Sequence, residues 1–292
     1  ICMVKQKHHI MKRTIILFFL AIMANVSMAQ DFQGKAVYKT SRKLDIKLDS
    51  TQVNSDQHQQ MMDMLKKQFQ KTFILSFNKE ESIYKEDKEL EAPQPSGMQL
   101  MVVNTGGSDV LYKNLKEKRY TNQNESFSKL FLIQDELQEH DWVFSDEKKF
   151  IGDYECYKAT TTREVPDVQS GISINGDKDL DADSDAEPKM KELTVTAWYT
   201  TKIPVNNGPQ NYHGLPGLIL EVNDGTTTMI CSKLILNPEK NVNIDEPKKG
   251  KKINQEDYDA IMDKKVNEMQ ERMRSNWSED NRGENVEIRI GG

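Results

Sequence analysis

Residues 218–236 leave this chain few options. Leu218-Ile219-Leu220-Glu221-Val222 is an apolar run, Asp224-Gly225 is a turn dipeptide, and Thr226 to Leu236 is a second β-prone run. Glycine accepts the positive φ of a tight turn at no steric cost, so two such runs around Asp-Gly read as neighbouring antiparallel strands. Leu218-Ile219-Leu220 shows no polar alternation, which suits a strand covered on both faces. A strand of that kind belongs inside a sheet, with packing above and below it.

Much of the chain repeats the pattern of short β-like runs separated by turn chemistry. Gly34 to Thr40 alternates. Thr72 to Phe77 and Ser82-Ile83-Tyr84 flank the polar turn Asn78-Lys79-Glu80, and Met98 to Val103 and Val110 to Tyr112 flank Gly106-Gly107. Trp142-Val143-Phe144, Lys149-Phe150-Ile151, Tyr154 to Thr162 and Leu193 to Thr201 continue the series. Two stretches are helical in spacing. Asp56 to Gln70 sets Met62, Leu65 and Phe69 three and four apart. Asn254 to Met273 lines up Tyr258, Ile261, Met262, Val266, Met269 and Met273 behind Asn254 as N-cap. The expected fold is mostly β: a curved antiparallel meander or open barrel with one early and one late helix. Short connections favour pairing of consecutive strands.

The N-terminus reads as an export signal. Met11-Lys12-Arg13 is a basic start, Ile15 to Met23 carries no charge, and Ser27-Met28-Ala29 offers small residues at a cleavage site. Residues 1–10 read as an extension upstream of the true start. The apolar stretch is shorter than the roughly 20 residues a membrane span requires. The expected organisation is a signal over 1–29, a β-rich domain over 30–245 and a charged helix and tail over 246–292. Val286 to Ile290 alternates within that tail and suits a short edge strand. The expected location is exported: periplasmic, associated with the outer membrane, or secreted. No integral membrane segment is expected after cleavage.

Removing 1–29 takes away four basic residues and no acids, so the formal charge moves from −6 to −10. That balance argues against nucleic acid, whose phosphates require a basic face. Cys156 and Cys231 remain after cleavage; in an oxidising compartment they either form one disulfide or stay as two buried thiols. The segment 168–188 places Asp177, Asp179, Asp181, Asp183 and Asp185 at alternate positions. Alternating carboxylates suit a hard cation, but the glycine and terminal glutamate of a calcium loop are not at their positions, so a solvated acidic loop is expected and no metal site.

Catalytic signatures are missing. There is no Gly-x-Ser-x-Gly, His-Glu-x-x-His, phosphate loop or Cys-x-x-Cys. The histidines after residue 29 are His58, His140 and His213; the first two read as surface positions, and His213 is the one candidate base. No cofactor is expected.

The segment Gly214-Leu215-Pro216-Gly217-Leu218-Ile219 resembles the defining motif of the GLPGLI family, exported proteins of Bacteroidetes-type bacteria with no established activity. Gly152 to Ala159, Trp198-Tyr199-Thr200, Ile203-Pro204 and Gly208-Pro209 fit the same pattern in order. The resemblance implies an envelope protein and no particular chemistry. Read physically, Pro216 and Gly217 fit the centre of a type II turn, with Gly217 supplying the positive φ. Trp198, Tyr199, Tyr212 and His213 would flank that corner as a ligand site. Three functions follow. One is a non-catalytic protein holding a lipid-like ligand or a protein on the curved sheet. Another is an accessory subunit of an outer-membrane assembly. The third is a hydrolase using His213.

Overall fold

The computed structural model describes residues 32–42, 46–47, 70–87, 110–166, 171–174, 190–279 and 286–289. The proposed signal over 1–29, nearly all of the early helix, the Gly106-Gly107 turn and most of the acidic loop lie outside them. The main body is a twelve-stranded sheet. Its strands are β1 (Gly34–Arg42), β3 (Lys71–Phe77), β4 (Glu81–Glu86), β5 (Val110–Asn114), β6 (Arg119–Ser126), β7 (Lys129–Glu136), β8 (Val143–Ile151), β9 (Tyr154–Pro166), β11 (Met190–Thr200), β12 (Leu218–Asn223), β13 (Thr227–Leu236) and β14 (Lys251–Ile253). They run in the order β14-β7-β6-β5-β4-β3-β1-β13-β12-β11-β9-β8. The pairs are antiparallel except β14 with β7. Three short strands, β2 (Ile46–Lys47), β10 (Gly171–Ile174) and β15 (Val286–Arg289), form a second sheet. The alternating segment near the C-terminus is thus a short edge strand, as expected, and it lies in this second sheet. One helix, α1 (Gln255–Glu279), follows β14.

The order is two meanders. The first runs β3 to β7; the second runs β8 to β13, and β1 joins them. Only residues 137–142 connect β7 to β8, which sit ten strand spacings apart. In a flat sheet that distance is about 48 Å. Six linking residues reach about 25 Å at full stretch. The sheet must therefore curl until its ends approach, while staying open. One core cluster joins Phe131 and Ile133 of β7 to Ile151 and Cys156 of β8 and β9, which places that cluster on the inside of the curl.

Local chemistry explains the corners. Gly225 has φ 84° between β12 and β13, and Asp224 Oδ1 accepts from the N–H groups of Thr226 (3.1 Å) and Thr227 (2.7 Å). The β8–β9 hairpin turns on Gly152, φ 57°. The two runs Trp142–Phe144 and Lys149–Ile151 merge into the single strand β8, with a register shift between Phe144 and Lys148. Asn254 caps α1: its Oδ1 accepts from Asp257 N–H at 2.7 Å. Tyr258 and Met262 of the apolar stripe are buried in the inner core, and Ile261 packs against it. Between β13 and β14 the chain returns along the sheet, and Arg119 pairs with Glu246 at 2.6 Å to hold that strap. Among the described residues no helix is long and apolar enough to cross a membrane.

Candidate functional site

Residues 201–217 leave β11, round the end of the sheet and re-enter as β12. This loop feeds both cores. Ile203 and Val205 are buried in the inner cluster; Tyr212 and Leu215 are buried in a second cluster with Val195, Tyr199, Ile219 and Met229. Leu218 and Leu220 face the inner core while Ile219 faces the second one, the double coverage expected of that run.

Glycines set the loop's course in two different ways. Gly214 has φ 97°, a conformation that side chains other than glycine resist. Gly217 does not carry the positive φ assigned to it as a type II turn residue; it is required for space. A Cβ there would lie 2.1 Å from Thr200 O. The corner is a close approach of two backbones, which a reading of local turn chemistry does not detect.

Lys113 holds the loop from below. Its position on β5, in register with Ser82 of β4, turns it toward the inner core, where its side chain is fully buried. Its Nζ donates to Gly208 O at 2.8 Å and to Tyr212 O at 3.4 Å. No carboxylate pairs with it among the described residues, and burial pushes its pKa down to about 7. Nearby polar groups are under-satisfied: Ser82 Oγ and Asn207 Nδ2 are buried without a hydrogen-bond partner.

Above the loop lies a cluster of rings. His140 is stacked on Tyr212 (centroids 5.6 Å apart) and meets His213 edge-on at 5.3 Å and Trp142 at 5.5 Å. Trp142 Nε1 donates to His213 O at 2.8 Å. His213 Nδ1 and His140 Nε2 both donate to the single acceptor Asn211 O, at 2.8 and 3.2 Å. Burial lowers the pKa of both imidazoles, with Lys113 adding to the effect; His213 is brought down to about 4. Both rings are therefore neutral near pH 7.

Of the four residues expected to form a ligand site, Tyr212 and His213 come together in this cluster. Tyr199 shares the second core with Tyr212, and its ring lies 6.2 Å from that of Phe144 and 6.0 Å from that of Tyr157. Trp198 points to the opposite face, where Lys149 Nζ lies 4.4 Å from its ring centre and pairs with Glu221 at 2.7 Å. His140 and Trp142, read only as surface and strand residues, complete the cluster. Their meeting depends on the β7–β8 connection folding against a loop 71 residues later, and no local pattern encodes that.

Edge strand β8 adds a further feature. Val143, Phe144 and Phe150 are 66%, 59% and 72% exposed. Cys156, buried, and Cys231, half-buried, are both free, so the disulfide reading does not hold. Among the described residues no three acidic, histidine or cysteine side chains are grouped to hold a metal ion.

A family described as a protein of unknown function (Porph_ging) matches residues 142–221, the stretch from Trp142 through β12. The matched segment of this chain takes in the 201–217 loop and, of the ring cluster, Trp142, Tyr212 and His213, with His140 just before it; the family is uncharacterised and Bacteroidetes-type. No curated protein matches the chain. Among solved structures, PNGF-II in the C2 space group is similar at 13% identity and TM-score 0.45, covering 79% of this chain and 32% of that one. PNGF-II in the P21 space group gives 14% identity and TM-score 0.45, with 80% and 33% covered. The chain thus spans about a third of the length of those proteins.

Proposed function

We propose that this chain is an exported, GLPGLI-type envelope protein that works without a catalytic site, by holding another polypeptide on its β8 edge. The observation that carries the reading is the exposure of Val143, Phe144 and Phe150 along a strand edge that pairs with no other strand among the described residues. Exposed apolar side chains beside free backbone donors and acceptors are a template for an added strand. Natural sheets usually blunt such edges, and Lys148 and Lys149 on β8 are already engaged with Glu155 and Glu221. The export signal and the missing catalytic motifs support the same reading. A ligand in the concavity has less support, because Ile203, Val205, Tyr258 and Met262 fill the inner face.

The test is site-specific photo-crosslinking in the native envelope. A photoreactive residue replaces Phe144 or Phe150, and another replaces exposed Lys79 in the β3–β4 turn. A discrete adduct with one envelope protein from positions 144 and 150, absent from 79, supports the proposal. Adducts that are absent or equal at all three positions refute it.

A further inference from the structure

Several basic groups converge on residues 203–217 with few acids to balance them. Lys113 reaches up from β5 to Gly208 O and Tyr212 O. His140 enters from the β7–β8 connection, and His213 belongs to the loop; their rings are 5.3 Å apart and share the acceptor Asn211 O. From β9, Arg163 faces His140 and Tyr212, but it is paired with Asp224 of the β12–β13 turn at 3.4 Å. Glu139 faces His213 and is drawn away by Lys118 at 2.7 Å. Asp141, in the same connection, is exposed to solvent.

We propose that residues 203–217 form an acid-sensitive flap, released when His140 and His213 gain protons beside Lys113. The closed loop needs both rings neutral. Each ring spends its one N–H on Asn211 O. A proton on either ring adds a donor and a positive charge next to a buried ammonium and a second imidazole. Like charges at this separation repel strongly where water is partly excluded. Besides the side-chain bonds from Lys113 and Trp142, two backbone bonds close the loop onto β12. Leu218 N–H donates to Ile203 O and Ile219 N–H to Asn207 O, each at 2.9 Å, and the buried amide of Asn207 adds no hydrogen bond through its nitrogen. Release would uncover Ile203, Val205, Tyr212 and Leu215, apolar side chains that serve the two cores when the flap is shut. This inference stands independently of any partner on β8.

The sign follows from linkage. A histidine whose closed-state pKa lies below its open-state value favours the closed state above the open value and loses that preference as pH falls. For His213 the interval runs from the ordinary 6.5 down to about 4. Between pH 7.5 and 5.0 His213 alone gives roughly thirtyfold in the opening equilibrium, and partial exposure of the ring reduces the expectation to about tenfold.

Hydrogen exchange with intrinsic-rate correction reads this directly. Protection factors of the Tyr212, Leu218 and Ile219 amides should fall about tenfold from pH 7.5 to 5.0 while those of Ala36 and Leu75 hold. In H140Q/H213Q the fall should shrink to the fewfold change that Lys113, with its pKa lowered to about 7, contributes by itself. Protection unchanged at pH 5.0 overturns the proposal. So does a loss shared equally with β1 and β3, or a loss undiminished in the double variant. If that variant does not fold, histidine C–H titrations in the wild type take its place. Ring midpoints that track loop opening support the flap, and midpoints that do not track it overturn it.

Discussion

Lys113→Met offers the sharpest test of how the interior is built. The substitution keeps the length and volume of the side chain and removes the amine. Two effects oppose each other. The amine supplies hydrogen bonds to Gly208 O and Tyr212 O, and leaving buried carbonyls unmet costs about 1–3 kcal/mol. Against this, the charged amine is held without a carboxylate, and burial lowers its pKa from 10.5 to about 7. The folded protein therefore releases this proton before the unfolded chain does. Its contribution to stability rises with pH between the folded and unfolded values, by about 1.4 kcal/mol per unit, or about 3 kcal/mol from pH 7.0 to 9.5.

Urea unfolding of wild type and Lys113→Met at pH 7.0, 8.0 and 9.5 separates the effects, because groups distant from Lys113 cancel in the difference and His140 and His213, which Lys113 influences, titrate below this range. At pH 9.5 the variant should be the less stable by about 1–3 kcal/mol, the value of the lost hydrogen bonds. On going to pH 7.0 the difference should shift by about 3 kcal/mol in the variant's favour, so that the variant equals or exceeds the wild type. A stability difference independent of pH would refute the argument, since it would mean that the amine titrates in the fold as it does in the unfolded chain.

Two further outcomes test other parts of the structure. Gly217→Ala drives a Cβ to 2.1 Å from Thr200 O, where only backbone movement can relieve it, and should cost at least about 3 kcal/mol; Gly152→Ala, at φ 57° with open space around it, should cost only about 1–2 kcal/mol. Urea midpoints measure both, and equal losses would remove the case for a close approach at Gly217. Burial pushes the Cys156 and Cys231 thiols up to about 11, so at pH 8 native-state alkylation at both should run about 100-fold slower than in denaturant. Peptide mapping of the adducts reads this, and fast native labelling of either thiol would contradict the packing around it.

What was legible in the sequence was local. The Asp224-Gly225 hairpin, the β3–β4 turn at Asn78 and the Asn254 cap each depend on residues within a few positions of one another, and each is in place. Strands β6 and β7 carry no such local signal. In β6, Thr121, Asn122, Gln123, Asn124 and Glu125 lack the apolar alternation that marks a strand, and its place in the sheet comes from neighbours on both sides. Lys113 was hidden for a similar reason. A lysine in a strand reads as solvent-facing, and the carbonyls that receive it lie 95 and 99 residues further along. The loop that provides them was visible as turn chemistry. What it covers was not.

The GLPGLI segment illustrates how far a sequence signature can be taken. Gly214 supplies a positive φ beside Trp142; Leu215 fills the second core; Gly217 lets the backbone pass Thr200; Leu218 and Ile219 divide between the two cores; and Ile219 O accepts the buried Tyr38 hydroxyl at 2.6 Å. These contacts are architectural: they fix where the chain turns back into the sheet. Pro216 is exposed, and no side chain in the segment has an ionisable group. Chemistry at this corner must come from its neighbours, namely Lys113 beneath the loop and His140 and His213 above it. A signature of this kind identifies a corner that the fold requires, and the residues to mutate for function are the ones that the corner brings together.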